Sequence, residues 1–179
     1  MGTMSQCPTH EALFTEWLAN HRGIIFKVSQ SFAHTPADTA ELAQEMQLQL
    51  WRSLPTYSAK AKVSTWIYRV CLNTALAWRR GTNRRTAHIE PEADVTQLPV
   101  NTASPAEHAI QRDVLNTLYT AIHAMADSDR ALILLLLDGL AYREIADVTG
   151  LTETHVGVAL TRARKRLTTL MKGVIDEME

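Results

Sequence analysis

The sequence predicts an all-α protein made of two small helical domains joined by a flexible linker. Apolar residues recur at helical spacing in both halves of the chain, and no alternating strand pattern competes with them. Between the halves lies a stretch with two prolines and no sustained period. The predicted boundaries are 1–81 for an N-terminal helical bundle, 82–104 for the linker and 105–179 for a C-terminal domain.

The first two helices are predicted from apolar spacing and from end signals. The first covers about residues 9–32. The second begins after Thr35, because threonine can cap a helix and Pro36 needs no hydrogen-bond partner in the first turn. Asp38 suits the positive end of the helix dipole, and Pro55 is expected to end this helix.

A third helix is predicted after a short polar loop at 55–62. It covers about residues 63–80, and Gly81 is expected to stop it. In the second domain, residues 104–107 (Ser-Pro-Ala-Glu) form a capping box with proline in the first helical position. The helices predicted there cover about 105–126, 128–138, 141–149 and 152–174.

Residues 142–161 have the pattern of a helix-turn-helix. Gly150 permits a left-handed turn, Thr152 can cap the second helix, and spaced apolar residues are expected to lock both helices onto a core. These apolar residues are Ile145, Leu151, Val156 and Leu160. The opposite face presents Thr154, His155, Val158, Thr161, Arg162 and Lys165. A face of this kind predicts contact with DNA, with Arg143 of the preceding helix holding the backbone.

The formal net charge is only -1, but the cations are clustered. One basic group comprises Arg79, Arg80, Arg84 and Arg85, and another comprises Arg162, Arg164, Lys165 and Arg166. The segment 107–147 between them carries mostly acids. Two basic groups in a neutral chain indicate two phosphate-facing surfaces, or else ordinary solvated helix faces.

Other classes of protein have little support in the sequence. The two cysteines, Cys7 and Cys71, are far apart, so neither a disulfide framework nor a metal site is expected. No signal peptide is recognised, and the longest apolar run, 131–137, is too short to span a bilayer. We therefore expect a cytoplasmic protein without membrane insertion. No nucleophile motif or phosphate-binding glycine loop occurs, so neither enzymatic activity nor a cofactor is expected.

Four segments together resemble the extracytoplasmic-function group of the bacterial sigma-70 superfamily. Residues 38–46 (Asp-Thr-Ala-Glu-Leu-Ala-Gln-Glu-Met) resemble its polymerase-binding helix, and residues 63–73 (Val-Ser-Thr-Trp-Ile-Tyr-Arg-Val-Cys-Leu-Asn) resemble its promoter-opening helix. Residues 140–146 (Leu-Ala-Tyr-Arg-Glu-Ile-Ala) and 162–167 (Arg-Ala-Arg-Lys-Arg-Leu) resemble its C-terminal domain. Their order and spacing agree over nearly the whole chain.

The resemblance implies three sets of binding residues and three partners. Core RNA polymerase would be bound by Glu41, Gln44, Glu45 and Leu48. The separated strand of the minus-ten element would be bound by Tyr57, Lys60, Lys62, Tyr68, Asn73, Arg79 and Arg80. Duplex DNA at the minus-thirty-five element would be read by Arg143, Thr154, His155, Val158, Ala159, Arg162 and Lys165. Besides polymerase and promoter DNA, the resemblance implies an anti-sigma protein as a partner.

Two features depart from the family pattern. Ala77 stands where the family usually has an acid, and Gly157-Val158-Ala159 replaces a usually polar, basic segment. Base-specific hydrogen bonds from that segment are therefore expected to be few. Val158 and Ala159 could contact thymine methyl groups, and His155 and Arg162 are the expected polar readers. The alternative function is a stand-alone helix-turn-helix regulator, which would bind duplex operator DNA without polymerase.

Overall fold

In the computed structural model, which describes residues 10–86 and 105–176, the chain is all-α, as predicted. The described residues form seven α-helices and no strand. The N-terminal half contains α1 (His10–Phe32), α2 (Pro36–Ser53) and α3 (Val63–Thr86). The C-terminal half contains α4 (Pro105–His123), α5 (Asp127–Leu137), α6 (Tyr142–Thr149) and α7 (Glu153–Asp176). Within the described ranges, no helix is both long enough and apolar enough to cross a membrane.

The three helices of the N-terminal half pack around one apolar core. Val28 and Phe32 of α1, Leu42 and Met46 of α2, and Cys71 of α3 are completely buried. The start of α2 follows the prediction, since the Thr35 hydroxyl accepts a hydrogen bond from the Asp38 N–H at 3.1 Å. After α2 the chain makes one 3-10 turn over Leu54–Thr56.

The prediction that α3 stops at Gly81 is wrong, because this helix continues to Thr86. Glycine lowers helix stability by only about 1 kcal/mol relative to alanine, which is too little to end a helix with good hydrogen bonding on both sides. Residues 82–86, predicted as linker, are therefore helical. The remaining linker residues and the predicted cap Ser104 lie outside the described residues.

Arg130 is the buried charged residue that organises the C-terminal half. Its side chain is 1% exposed, and its guanidinium donates hydrogen bonds to three carbonyl groups at the end of α4. The acceptors are the carbonyls of Ile122 at 3.1 Å, His123 at 2.7 Å and Met125 at 3.0 Å. Helix ends leave such carbonyls without intrahelical partners, so Arg130 caps α4. Burial lowers the pKa of Arg130 to about 10. Because this value is still well above 7, the side chain stays charged at neutral pH.

The two halves pack against each other through α1, α3 and the C-terminal helices. The Arg130 guanidinium lies over the Phe32 ring of α1, 5.1 Å from its centre. Lys27 of α1 forms an ion pair with Asp138, and Arg69 of α3 donates a hydrogen bond to the carbonyl of Asp147. The sequence predicted none of these contacts, because their partners are far apart along the chain.

Replacing Arg130 by methionine should destabilise the fold. Methionine fills a similar volume but cannot donate, so the carbonyls of His123 and Met125 would lose their hydrogen bonds, at about 1–3 kcal/mol each. The Ile122 carbonyl would keep the hydrogen bond that it accepts from the Met125 N–H at 3.1 Å. We expect the free energy of unfolding, measured by urea denaturation, to fall by about 2–6 kcal/mol. Arg164→Met, at an exposed position on α7, is the matched control and should change it by less than about 0.5 kcal/mol. Equal losses in the two variants would contradict the role of Arg130.

Candidate nucleic-acid interface

The turn between α6 and α7 has the geometry of a helix-turn-helix. Gly150 is left-handed, with a φ of 76°, and its N–H donates to the Ala146 carbonyl at 2.8 Å. The Thr152 hydroxyl accepts a hydrogen bond from the His155 N–H at 3.3 Å and so caps α7. The predictions for Gly150 and Thr152 are therefore confirmed.

The apolar positions of the motif are buried with one exception. Ile145, Val156 and Leu160 are fully buried and join the core of the C-terminal half. Leu151, predicted to lock the motif, is 41% exposed. The prediction for Leu151 is wrong because this residue lies in the turn itself, after the left-handed Gly150 and before α7 begins, and so belongs to neither helical face.

The opposite face of α7 is exposed along its first three turns. The exposed residues are Thr154, His155, Val158, Thr161, Arg162 and Lys165, and Arg143 on α6 is exposed as well. Val158 keeps 56% of its surface accessible. Ala159, predicted to contact DNA, is instead half-buried and packs against the core beside Leu160. The surface thus offers a polar and cationic strip with one exposed apolar side chain.

A groove of about 700 Å³ separates α2 from α3 in the N-terminal half. Glu41 and Glu45, predicted for polymerase, line the same groove as Asn73, predicted for the melted strand.

Gln44 and Leu48 are exposed on α2. Leu48 is 41% exposed, and Trp51, three residues later, is 44% exposed. The Trp51 ring packs edge-to-face on the Phe14 ring, with the ring centres 5.1 Å apart. Trp51 was not among the predicted site residues, although so large an exposed aromatic ring is a signal of an interaction surface.

The aromatic residues predicted for the melted strand differ in accessibility. Tyr57 is half-buried; its ring centre lies 4.9 Å from that of Trp17 and 5.4 Å from that of Trp66. Its hydroxyl donates to the Ala61 carbonyl at 2.8 Å. Tyr68 is only 3% exposed and belongs to the core of the N-terminal half. The structure therefore contradicts a base-stacking role for Tyr68, since its ring lies on the buried face of α3.

The predicted cations of the N-terminal half are only partly available. Lys60 and Arg80 are exposed. The Lys62 ammonium lies 2.6 Å from a Glu144 carboxylate oxygen, and this hydrogen bond, with a second from the Ala141 N–H, lowers the pKa of Glu144. Arg79 is 17% exposed and lies 3.5 Å from the Asp127 carboxylate. Lys62 and Arg79 are thus engaged by the C-terminal half.

The potential metal ligands of this chain are its His, Cys, Asp and Glu side chains, among them the Cys71 thiol. Over the described parts of the chain, no three His, Cys, Asp or Glu side chains come together in a way that could hold a metal ion. The free thiol of Cys71 is buried, and burial raises the pKa of this thiol to about 12.

Two families match separate segments of this chain. Residues 17–85 match Sigma-70 region 2, and residues 115–167 match Sigma-70, region 4. The RNA polymerase sigma-H factor of Pseudomonas aeruginosa is 25% identical over 157 residues, covering 82% of this chain and 79% of the relative. The ECF RNA polymerase sigma-E factor of Haemophilus influenzae is 25% identical over 137 residues, covering 73% of this chain and 72% of the relative.

Solved structures show the same fold. The sigma factor RpoE of Bartonella quintana, solved in complex with the anti-sigma factor NepR, superposes with a TM-score of 0.72 at 18% identity. That comparison covers 89% of this chain and 96% of the other. CnrH, solved in complex with the cytosolic domain of CnrY, gives a TM-score of 0.62 at 20% identity, covering 91% of this chain and 90% of the other.

Replacing Gly150 by alanine should weaken the helix-turn-helix. No atom lies within 4 Å of the position an added Cβ would take, so the cost is the left-handed backbone alone, about 1–2 kcal/mol. Gly173→Ala is the matched control, because Gly173 lies within α7 in equally open space. We expect Gly173→Ala to raise the free energy of unfolding by up to about 1 kcal/mol. The two variants are compared by urea denaturation, and a neutral or stabilising Gly150→Ala would contradict the assigned turn.

Proposed function

This chain belongs to the sigma-70 family of RNA polymerase initiation factors, in its extracytoplasmic-function group, and we propose that its two halves read two elements of one promoter. As a sigma factor, it directs core RNA polymerase to promoters. The observation that carries the proposal is the order of the matches, with region 2 at 17–85 and region 4 at 115–167, each on its own helical half. The chain supplies recognition and no chemical step of its own.

The exposed side of α2 is the proposed surface for core polymerase. Glu41, Gln44 and Leu48 are exposed there, and Glu45 lies beside them at the edge of the groove. An exposed leucine next to the exposed Trp51 supplies apolar area for a protein interface, while the acids and the amide supply polar contacts at its margin. A DNA backbone would be repelled by this acidic surface, which favours a protein partner.

The loop before α3 and the exposed side of α3 are the proposed site for the melted minus-ten strand. Lys60 and Arg80 can contact phosphates, and the cluster of Tyr57, Trp17 and Trp66 provides an aromatic surface for an unstacked base. Asn73 presents an amide that can pair with a base edge from the groove between α2 and α3. These are the chemical types that capture of an extruded base requires.

The exposed face of α7 is the proposed reader of the minus-thirty-five duplex. Thr154 and His155 lie at the start of the helix, where a recognition helix meets base edges. Val158 can contact a thymine methyl group, and Arg162 and Lys165 follow toward the phosphates. Arg143 on α6 is placed to hold the backbone beside them.

Separation of the two halves would free Arg79 for promoter DNA. Arg79 is shielded and paired with Asp127 of the C-terminal half, whereas the Lys62 side chain is 75% exposed and keeps donors available for a phosphate beside its ion pair with Glu144.

We further propose that an anti-sigma protein holds the chain inactive in the cytoplasm, since two solved neighbours were captured with an anti-sigma factor and with CnrY.

Asn73→Ala should impair promoter opening more than promoter binding. Losing one hydrogen bond to an extruded base costs about 1–1.5 kcal/mol, or about tenfold in the population of open complex. Opening is measured by permanganate reactivity of the minus-ten thymines with purified core polymerase, and binding by gel shift on the same promoter. Asn20→Ala, an exposed asparagine on α1 outside the proposed site, should leave both unchanged. An Asn73→Ala variant that opens promoters as the unsubstituted protein does would remove Asn73 from the site.

Arg162→Ala should weaken recognition of the upstream element specifically. A bidentate contact to a base is worth about 1–3 kcal/mol, so promoter affinity of the holoenzyme should fall by about 5–150-fold. Arg164→Ala is the matched control, because Arg164 is exposed on the same helix but follows Ala163, which with Val156 and Leu160 forms the buried stripe of α7. The effect of Arg162→Ala should vanish on a promoter whose upstream element is scrambled. The same loss on both promoters would reassign Arg162 to a nonspecific phosphate contact.

A further inference from the structure

A chain of hydrogen bonds through two histidines joins the two halves. His34 lies in the turn between α1 and α2, and His123 is the last residue of α4. Arg79 Nη1 lies 2.6 Å from His34 Nε2, and His34 Nδ1 lies 3.1 Å from His123 Nδ1. His123 Nε2 lies 2.8 Å from the carbonyl oxygen of Gln30 in α1. The two rings meet nearly perpendicular, with centres 4.8 Å apart.

The partners at the two ends fix the position of every proton in this chain. A guanidinium can only donate, so His34 Nε2 must accept and the His34 proton lies on Nδ1. A carbonyl can only accept, so His123 carries its proton on Nε2, and its Nδ1 accepts the hydrogen bond from His34. The geometry is therefore satisfied only when both rings are neutral.

A further proton on either ring would place two donors face to face. On His34 it would have to occupy Nε2, against the N–H of Arg79. On His123 it would have to occupy Nδ1, against the N–H of His34. Either event replaces an attractive contact at the junction between the halves by a repulsive one.

The charges around His34 also disfavour its protonation. His34 faces Arg79 of α3, Arg130 and Asp127 of α5, and Asp38 of α2. Burial, followed by the two arginines, lowers the pKa of His34, and the two acids only partly offset this. Asp127 is shared between the arginines, at 3.5 Å from Arg79 and 3.6 Å from Arg130.

His123 experiences the same cations from the other side of the junction. Its neighbours are the Gln30 carbonyl of α1, His34, Arg130 of α5 and Arg79 of α3. Burial lowers the pKa of His123 to about 4, against the opposing effect of the hydrogen bond to Gln30. An exposed histidine has a pKa of about 6.5.

We propose that His34 and His123 form a proton-sensitive latch, which holds the two halves together while both rings are neutral and releases them when either ring is protonated. Release frees Arg79, which the latch otherwise keeps away from a DNA strand. The latch belongs to this chain alone, in the absence of polymerase and DNA, so its failure in a test would leave the proposed promoter function standing.

Docking of the two halves depends on pH because the two histidines are harder to protonate in the docked form than in the open form. The docked form binds fewer protons than the open form, so docking is strongest above about pH 6.5 and weakens as the pH falls toward the docked pKa. For His123 alone, a shift from about 6.5 to about 4 makes docking about thirtyfold weaker at about pH 5 than at about pH 7.5. Protonation of His34 adds to this loss.

Energy transfer between dyes on the two halves of the full chain tests the latch. The dyes are attached at Asn20→Cys on α1 and Thr168→Cys on α7, both exposed, in a Cys7→Ser background in which Cys71 stays buried. Transfer should fall reversibly from about pH 7.5 to about pH 5, with the helical circular dichroism signal retained. His10→Gln removes an exposed histidine on α1 that has no place in the proposed binding surfaces, and should respond as the unsubstituted protein does.

The double variant His34→Gln/His123→Gln separates the latch from other titrating groups. Glutamine keeps one donor and one acceptor in each side chain but does not titrate, so transfer should stay high at about pH 5. Unchanged transfer in the unsubstituted protein across this range would overturn the proposal. So would a double variant that opens with the same midpoint as the unsubstituted protein.

Nitrogen-15 NMR of the unsubstituted protein provides a second test that needs no variant. At about pH 7.5 His34 should be protonated on Nδ1 and His123 on Nε2, and the protonation midpoint of either ring should coincide with the loss of energy transfer. Observation of His34 protonated on Nε2, or of both rings titrating without any change in transfer, would contradict the latch.

Discussion

The buried guanidinium of Arg130 is the constraint on which the arrangement of the halves depends. A charge removed from water is costly unless it is hydrogen-bonded, and the Nε and Nη2 atoms of Arg130 donate to three carbonyls at the end of α4. Its Nη1 has no hydrogen bond and lies 3.6 Å from the Asp127 carboxylate. The guanidinium carbon lies over the Phe32 ring at the end of α1, so one side chain contacts the ends of two helices from different halves. His123 is thereby held against Gln30, where the hydrogen-bond chain through His34 begins.

The contacts that join the halves use residues that promoter recognition needs. Lys62 and Arg79, both assigned to the minus-ten strand, bind acidic side chains of the C-terminal half. The ion pairs at this junction are partly exposed, so each contributes at most about 1 kcal/mol. Buried apolar residues of both halves and the Arg130–Phe32 contact contribute to docking as well. The docked and DNA-bound arrangements therefore compete for the same cations.

Features encoded by neighbouring residues could be predicted from the sequence. The Thr35 cap, the left-handed Gly150 and the buried stripe of α7 each follow from residues within one or two helical turns. Features that depend on distant packing could not. Tyr68 suited a stacking site by residue type, yet its burial is set by the helices around it, and Gly81 is overruled by the rest of α3. His34 and His123, 89 positions apart, looked like scattered histidines.

The two halves act on promoter DNA as part of RNA polymerase, so the purified chain has to bind core polymerase. This binding can be measured at equilibrium by fluorescence anisotropy with labelled chain and no DNA present. We expect saturable binding of one chain per core enzyme, and promoter-specific transcripts once DNA and nucleotides are added. Tight binding of the chain alone to a duplex operator, with no detectable binding to core polymerase, would contradict it and identify a stand-alone regulator instead.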